Sequence, residues 1–243
     1  MATLLISCEI FRPELELLAG EGIELPETVF LEAQLHNIPE KLRNSVQDVI
    51  DDFEAAHSEA STIFLSYGLC GRGMCGVHSR RATLVVPRIH DCISMLLGQE
   101  HNKEHAVTRE GAIYWSSPGY LESFQINLHL HYDIRLAQFE EKFGKAKALR
   151  MMKAEQAIYR NYHCLGYISW PEMKGRYEET AREVAETVGI PYTEYAGNSS
   201  FLREMIAGGH NRQRFLHIEP GYTMDMDMDG TIIAVPLADL NIQ

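Results

Sequence analysis

Basic residues are the first shortage. Lys and Arg total 22 against 34 Asp and Glu, a formal net charge of -12 at pH 7. That balance disfavours general binding to nucleic acid or to an anionic membrane, both of which need a basic surface. The local exception is a group of arginines, Arg72, Arg80, Arg81 and Arg88, in one part of the chain. Cysteine is scarce as well: five in 243 residues, an odd number at uneven spacing. This is not the framework of a small disulfide-stapled secreted domain, and reduced thiols in the cytoplasm are the expectation. Long apolar runs are missing. The first apolar stretch, Thr3 to Ser7, has no basic segment before it and is too short for a signal peptide or a membrane span. Internal repeats and low-complexity tracts are absent too.

What is present is ordinary for a globular protein: 45% hydrophobic and 23% charged residues. The apolar stretches alternate between strand and helix character. Thr3 to Ser7 is a buried strand ending at Cys8-Glu9, and Pro13 suits the first turn of a short helix stopped by Gly20 and Gly22. Thr28 to Leu35 reads as a strand ending at His36-Asn37. Pro39 opens a long helix with Leu42, Val46, Val49, Ile50 and Phe53 on one face. Thr62 to Tyr67 and Thr83 to Val86 are two more strands, and Asp91 to Leu97 a helix closed by Gly98. Residues 133–162 are strongly helical, with a break near Gly144. Strand and helix then alternate again through Cys164 to Trp170, Lys174 to Val188, Tyr192 to Tyr195, Ser200 to Ile206 and Phe215 to Glu219. The fold class expected is α/β, with mostly parallel sheets, flanking helices and two α/β lobes. The expected boundaries are an N-terminal lobe over 1–132, a helical connector over 133–162 and a C-terminal lobe over 163–243.

This reading gathers the reactive side chains. Cys8, His36, Cys70 and Cys92 each fall at or just after the carboxyl end of an expected strand, and in a parallel sheet those ends share one edge. Thiolate and imidazole together suit Zn²⁺, iron or an iron–sulfur cluster better than Mg²⁺ or Ca²⁺. His90 competes with His36 as a ligand. The bland alternative is that each cysteine is a small buried hydrophobe. Cys92 also opens a helix behind the N-cap Asp91, so a metal-free nucleophile with His90 as its base is the second chemical reading.

The turn from Gly68 to Gly76 lacks the endings of a P-loop and the Rossmann spacing. Gly68 and Gly71 are instead candidates for close approach of backbone to a ligand, with Arg88 as an anion contact. Cys70 and Cys75 are too widely spaced for a zinc knuckle. Asp225 to Gly230 imitates half of a calcium loop, but Pro236 stands where the bidentate Glu belongs, so an acidic hairpin turn is expected. His129 and His131, two apart, could bind metal on a strand, though solvent exposure is the simpler reading. Tyr114, Trp115 and Tyr120 could wall a pocket or belong to the core.

Several motifs together carry a resemblance: Ile6-Ser7-Cys8-Glu9 with Glu14, Leu35-His36-Asn37-Ile38-Pro39, Tyr67-Gly68-Leu69-Cys70-Gly71, and Pro87-Arg88-Ile89-His90-Asp91-Cys92-Ile93 with Leu96-Leu97-Gly98. The chain resembles the domain of unknown function 1638 family of anaerobic bacteria and methanogenic archaea. The resemblance touches almost the whole chain and is most specific in the middle. It implies an association with corrinoid-dependent methyl transfer and no settled activity. Cys75 looks like an addition to the family pattern and stays outside the first set of ligands. The expected function is thus a metal-binding protein or metalloenzyme, with Cys8, Cys70, Cys92 and His36 around Zn, Fe or an Fe–S cluster and a small-molecule substrate or corrinoid protein as partner. The alternatives are a thiol enzyme using Cys92 and His90, or a non-catalytic accessory of a methyltransferase system.

Overall fold

The structure is a computed structural model and describes residues 2–59, 62–98, 107–108, 111–125 and 132–240. Its elements run in the alternating order that the apolar pattern calls for. They are β1 (Thr3–Cys8), α1 (Arg12–Gly20), β2 (Glu27–Leu31), α2 (Pro39–Ala56), β3 (Thr62–Ser66), β4 (Thr83–Pro87) and α3 (Cys92–Leu97). A second group follows: β5 (Val107–Thr108), β6 (Gly111–Ser116), α4 (Tyr132–Phe143), α5 (Lys145–Tyr159), β7 (Tyr162–Ser169), α6 (Glu178–Val188) and β8 (Tyr192–Ala196). The chain ends with α7 (Ser200–Ile206), β9 (Phe215–Ile218), β10 (Tyr222–Met226) and β11 (Ile232–Pro236). Among the described residues no helix is long and apolar enough to cross a membrane.

Two compact units result, and the fold is α/β with mostly parallel sheets. The first unit takes residues 1–102 and 199–243, the second 103–198. This differs from the expected boundaries at 132 and 162. The reason is β9, whose apolar residues Phe215, Leu216 and Ile218 are buried and which pairs antiparallel with β4, so the last part of the chain completes the first sheet. The helices α4 and α5 pack on each other inside the second unit, with Gly144 between them at a positive φ.

In the first unit the sheet order is β2-β1-β3-β4-β9, and the first four strands are parallel. The inner strands are apolar along their length: Leu4, Leu5 and Ile6, then Ile63, Phe64 and Leu65, then Leu84, Val85 and Val86 are all buried. That is the signature of strands covered on both faces. α2 presents Leu42, Val46, Ile50 and Phe53 inward at helical spacing. From β1 the chain moves outward to β2, then crosses back to β3 and on to β4. The order therefore reverses between β1 and β3, and open α/β sheets bind their ligands in the crevice beyond the strand ends at such a reversal.

The second unit holds a sheet in the order β5-β6-β7-β8, with β6, β7 and β8 parallel. Leu121, Leu165, Tyr167, Ala181, Val184 and Val188 form its core. Tyr114 and Trp115 serve this sheet. Tyr114 packs on Tyr159 and Tyr162, and Trp115 on Tyr195.

Candidate functional site

Cys8 is the last residue of β1, and its neighbour Ser7 lies in register with Ser66 of β3. Both serines are fully buried; Ser66 Oγ donates to Ser7 Oγ at 2.6 Å, and Ser7 Oγ donates to the Cys8 carbonyl at 3.1 Å. The two strand ends at the reversal are thus pinned by a satisfied polar pair.

Beyond β3 and β4 the two chains stay together. Leu69 N–H donates to Ile89 O and Cys70 N–H to His90 O, each at 2.9 Å. Gly68 makes this approach feasible, because a Cβ there would lie 2.7 Å from Asp91 N and 2.8 Å from Asp91 Cα. Cys70 (φ 48°), Gly71 (φ 61°) and Arg72 (φ 68°) are three successive left-handed residues. Two of them are not glycine, so the turn stores backbone strain of the kind found at functional sites. Its far side is tied down. Arg43 donates to the carbonyls of Cys75 and Arg72, Arg72 pairs with Asp225 at 3.0 Å, and Gly76 N–H donates to Thr223 Oγ1 at 2.9 Å. Cys75 belongs to this anchoring: it is fully buried and its thiol faces Asp225 Oδ1 at 3.5 Å.

Cys92 opens α3. Asp91 caps the helix, its Oδ1 accepting from Ile93 N–H at 3.1 Å and Ser94 N–H at 3.3 Å. Gly98 closes it in the left-handed conformation at φ 71°.

The electrostatics show which of these groups are close. Burial pushes the Cys8 thiol up to about 11, and the Glu9 charge adds to this against the N–H groups of Ile10 and Glu9. The Cys70 thiol is pushed up to about 12, first by burial and then by the negative charges of Cys8 and Asp91. Tyr67, 3% exposed, is raised well above the ordinary phenol value by burial and then by Cys8, Cys70 and Cys92 together. Its hydroxyl is buried and has no hydrogen-bond partner among the described residues. The charges of Cys8, Cys70 and Cys92 thus all act on the Tyr67 phenol. Sequence reasoning placed the three thiols on one edge but took Tyr67 only as the end of an apolar run. Its position between a buried strand and a glycine was the available signal.

Three other candidates sit differently. His36 is not at a strand end, because pairing with β1 stops at Cys8↔Leu31 where β1 itself stops. Residues Ala33–Asn37 instead form a 3₁₀ turn, with Leu35 N–H bonded to Glu32 O. There the His36 ring is exposed and its Nδ1 lies 2.6 Å from Ala33 O. Arg88 turns to the carbonyls of Arg212 and Ile232, and its backbone N–H donates to Arg214 O at 2.7 Å. Its guanidinium thus donates to two carbonyls of the C-terminal segment, and burial lowers its pKa. His90 lends its carbonyl to Cys70 and lies half-buried. Among the described residues no group of three or more His, Cys, Asp or Glu side chains, the expected set of Cys8, Cys70, Cys92 and His36 included, is placed so that it could hold a metal ion. His129 and His131 lie outside the described residues. Asp225 and Met226 end β10, and Asp227 to Gly230 form the hairpin turn to β11, with Asp227 and Asp229 accepting from Thr231 N–H.

A protein-family model described as "Protein of unknown function (DUF1638)" matches residues 30–206, well over half of the chain. The chain belongs to the DUF1638 family. The matched span includes Tyr67, Cys70, His90 and Cys92, while Cys8 precedes it. No curated protein and no solved structure matches the chain.

Proposed function

We propose that the DUF1638 chain binds a thiophilic metal ion at the strand reversal, with Cys8, Cys70 and Cys92 as ligands. The observation that supports this reading is the place of the three cysteines in the chain, Cys8 at the end of β1, Cys70 soon after β3 and Cys92 soon after β4, parallel neighbours at the β1–β3 switch point. Burial, with the charge of Glu9 at Cys8 and those of Cys8 and Asp91 at Cys70, keeps both thiols protonated at neutral pH. A bound divalent ion would displace those protons, with Cys8, Cys70 and Cys92 as the residues that would hold it. Zinc and iron, alone or as an iron–sulfur cluster, suit three thiolates. The exposed ring of His36 leaves the fourth position to a ligand from solution. A metal with one open position fits a role in methyl-group transfer, with a corrinoid protein as the partner. Elemental analysis of protein purified without oxygen tests the reading. Bound zinc or iron that disappears in Cys70→Ser and Cys92→Ser supports it, whereas metal-free protein indifferent to both changes removes it.

The second reading is a metal-free thiol enzyme with Cys92 as nucleophile and His90 as base. It draws support from the place of Cys92 in the first turn of α3, next to the N-cap Asp91.

A further inference from the structure

The helices of the second unit carry opposite charges on neighbouring elements. Of the 22 basic and 34 acidic residues of the chain, six and one fall in 142–160, so this short segment is positive while the remainder is strongly negative. On α5, Ala148 and Met152 are buried, and the opposite side presents the exposed side chains of Lys147, Arg150 and Lys153, three residues apart. Exposed Ala146, Ala154 and Ala157 separate these cations, and Ile158, 59% exposed, extends the same side. On α6, Ala181, Val184, Ala185 and Val188 are buried, and the opposite side presents Glu179, Glu183 and Glu186, all exposed. Arg182 lies on the flank of that helix, over the Tyr192 ring at 4.1 Å. Among the described residues, Lys147, Arg150, Lys153, Glu179 and Glu186 make no ion pair.

Both helices cover one face of the sheet. They belong to successive crossovers, β6 to β7 and β7 to β8, between parallel strands, and such crossovers share one hand. Tyr159 at the end of α5 accordingly packs on the same core cluster as Ala181, Val184 and Val188 of α6. The cationic stripe runs about 9 Å along its helix and the acidic stripe about 10 Å, so the two match in length. We propose that this helical layer is the surface through which the chain pairs with a second copy of itself about a two-fold axis. Lys147, Arg150 and Lys153 of each copy then face Glu179, Glu183 and Glu186 of the other, and the contact is made twice. Charge complementarity selects this occupant. A bilayer or a nucleic acid, negative throughout, would meet the carboxylates of the layer as well as its cations. A second copy meets opposite charge at both stripes and covers Ile158. The pairing is independent of the thiol site.

The experiment measures the mass of the full chain by sedimentation equilibrium over a range of protein concentrations, at low salt and at about 0.5 M NaCl, where charges are screened within roughly 4 Å. The parent should dimerise at low salt and dissociate as salt rises. Two double variants reverse one stripe each: Lys147→Glu with Lys153→Glu, and Glu179→Lys with Glu186→Lys. Each should self-associate at least about tenfold more weakly than the parent, because like charges then face each other. An equimolar mixture of the two should regain the dimer, since every stripe again meets its complement, and that recovery shows that both variants are folded. A parent that stays monomeric at low salt overturns the proposal, and sedimentation of that monomer with phosphatidylserine vesicles would give the face to a membrane surface instead. A dimer that neither salt nor charge reversal weakens overturns it too, as does a mixture of the two variants that remains monomeric.

Discussion

Gly68 is the residue on which the site's geometry depends most directly. Its missing side chain lets the β3 loop lie on the backbone of Asp91, with main-chain bonds at 2.9 Å on Leu69 and Cys70. A methyl group there would overlap backbone atoms that have no rotamer to escape into. Gly68→Ala is therefore expected to destabilise the protein by about 1–3 kcal/mol, measured as a lower urea midpoint at unchanged slope. The buried thiols make a second residue-scale prediction. Cys8, Cys70 and Cys75 have pKa values raised from about 9 in the unfolded chain to about 11, 12 and 12. Above pH 9 the unfolded chain releases these protons first, so it binds fewer than the folded protein. Stability is full below pH 9 and falls as pH rises toward 11–12. Cys75→Ser, which removes one of the three, should make that alkaline decline shallower. An unchanged decline would show that Cys75 ionises normally in the folded state.

At the scale of elements, two buried charges hold the connections around β4. Glu54, at the end of α2 and 6% exposed, accepts from Ser79 Oγ at 2.6 Å and from the backbone N–H groups of Arg80, Arg81 and Ala82. Burial works to raise its pKa, but those four donors win and lower it. Glu54→Gln should cost roughly 1–3 kcal/mol, because the amide accepts fewer of these bonds. The parent's share of this stability is present at neutral pH and lost as pH falls through the carboxylate range. Urea midpoints of the two proteins should therefore approach each other on acidification. Arg88→Met should also lower the urea midpoint, by freeing the carbonyls of Arg212 and Ile232, while leaving metal binding as in the parent. The parallel strands and amphipathic α2 were legible in the sequence because their apolar periodicity is local. The role of Arg88 was not, since its acceptors lie more than a hundred residues away. His36 was misplaced by about one turn, because strand propensity continues past the point where β1 offers no further partner.

At the scale of the whole molecule, residues 103–198 form a unit with its own sheet and core. The strands of the first sheet all come from the flanking segments, and α3 packs on α7 across the join. Replacing 103–198 by a flexible linker should leave a folded first unit, checked by circular dichroism and a cooperative urea transition. A chain without such a transition would show that the first sheet needs the insert. The pairing of β9 with β4 was invisible in the sequence, because antiparallel return over so long a separation has no local signal. The shared edge of β1, β3 and β4 was visible, since it follows from parallel strands alone. Its central claim is best tested by mapping thiol alkylation with and without Zn²⁺ under anoxic conditions. Zinc should protect Cys8, Cys70 and Cys92 together and leave the reactivity of Cys75 and Cys164 unchanged. A single reactive Cys92, labelled equally with and without zinc, would contradict it.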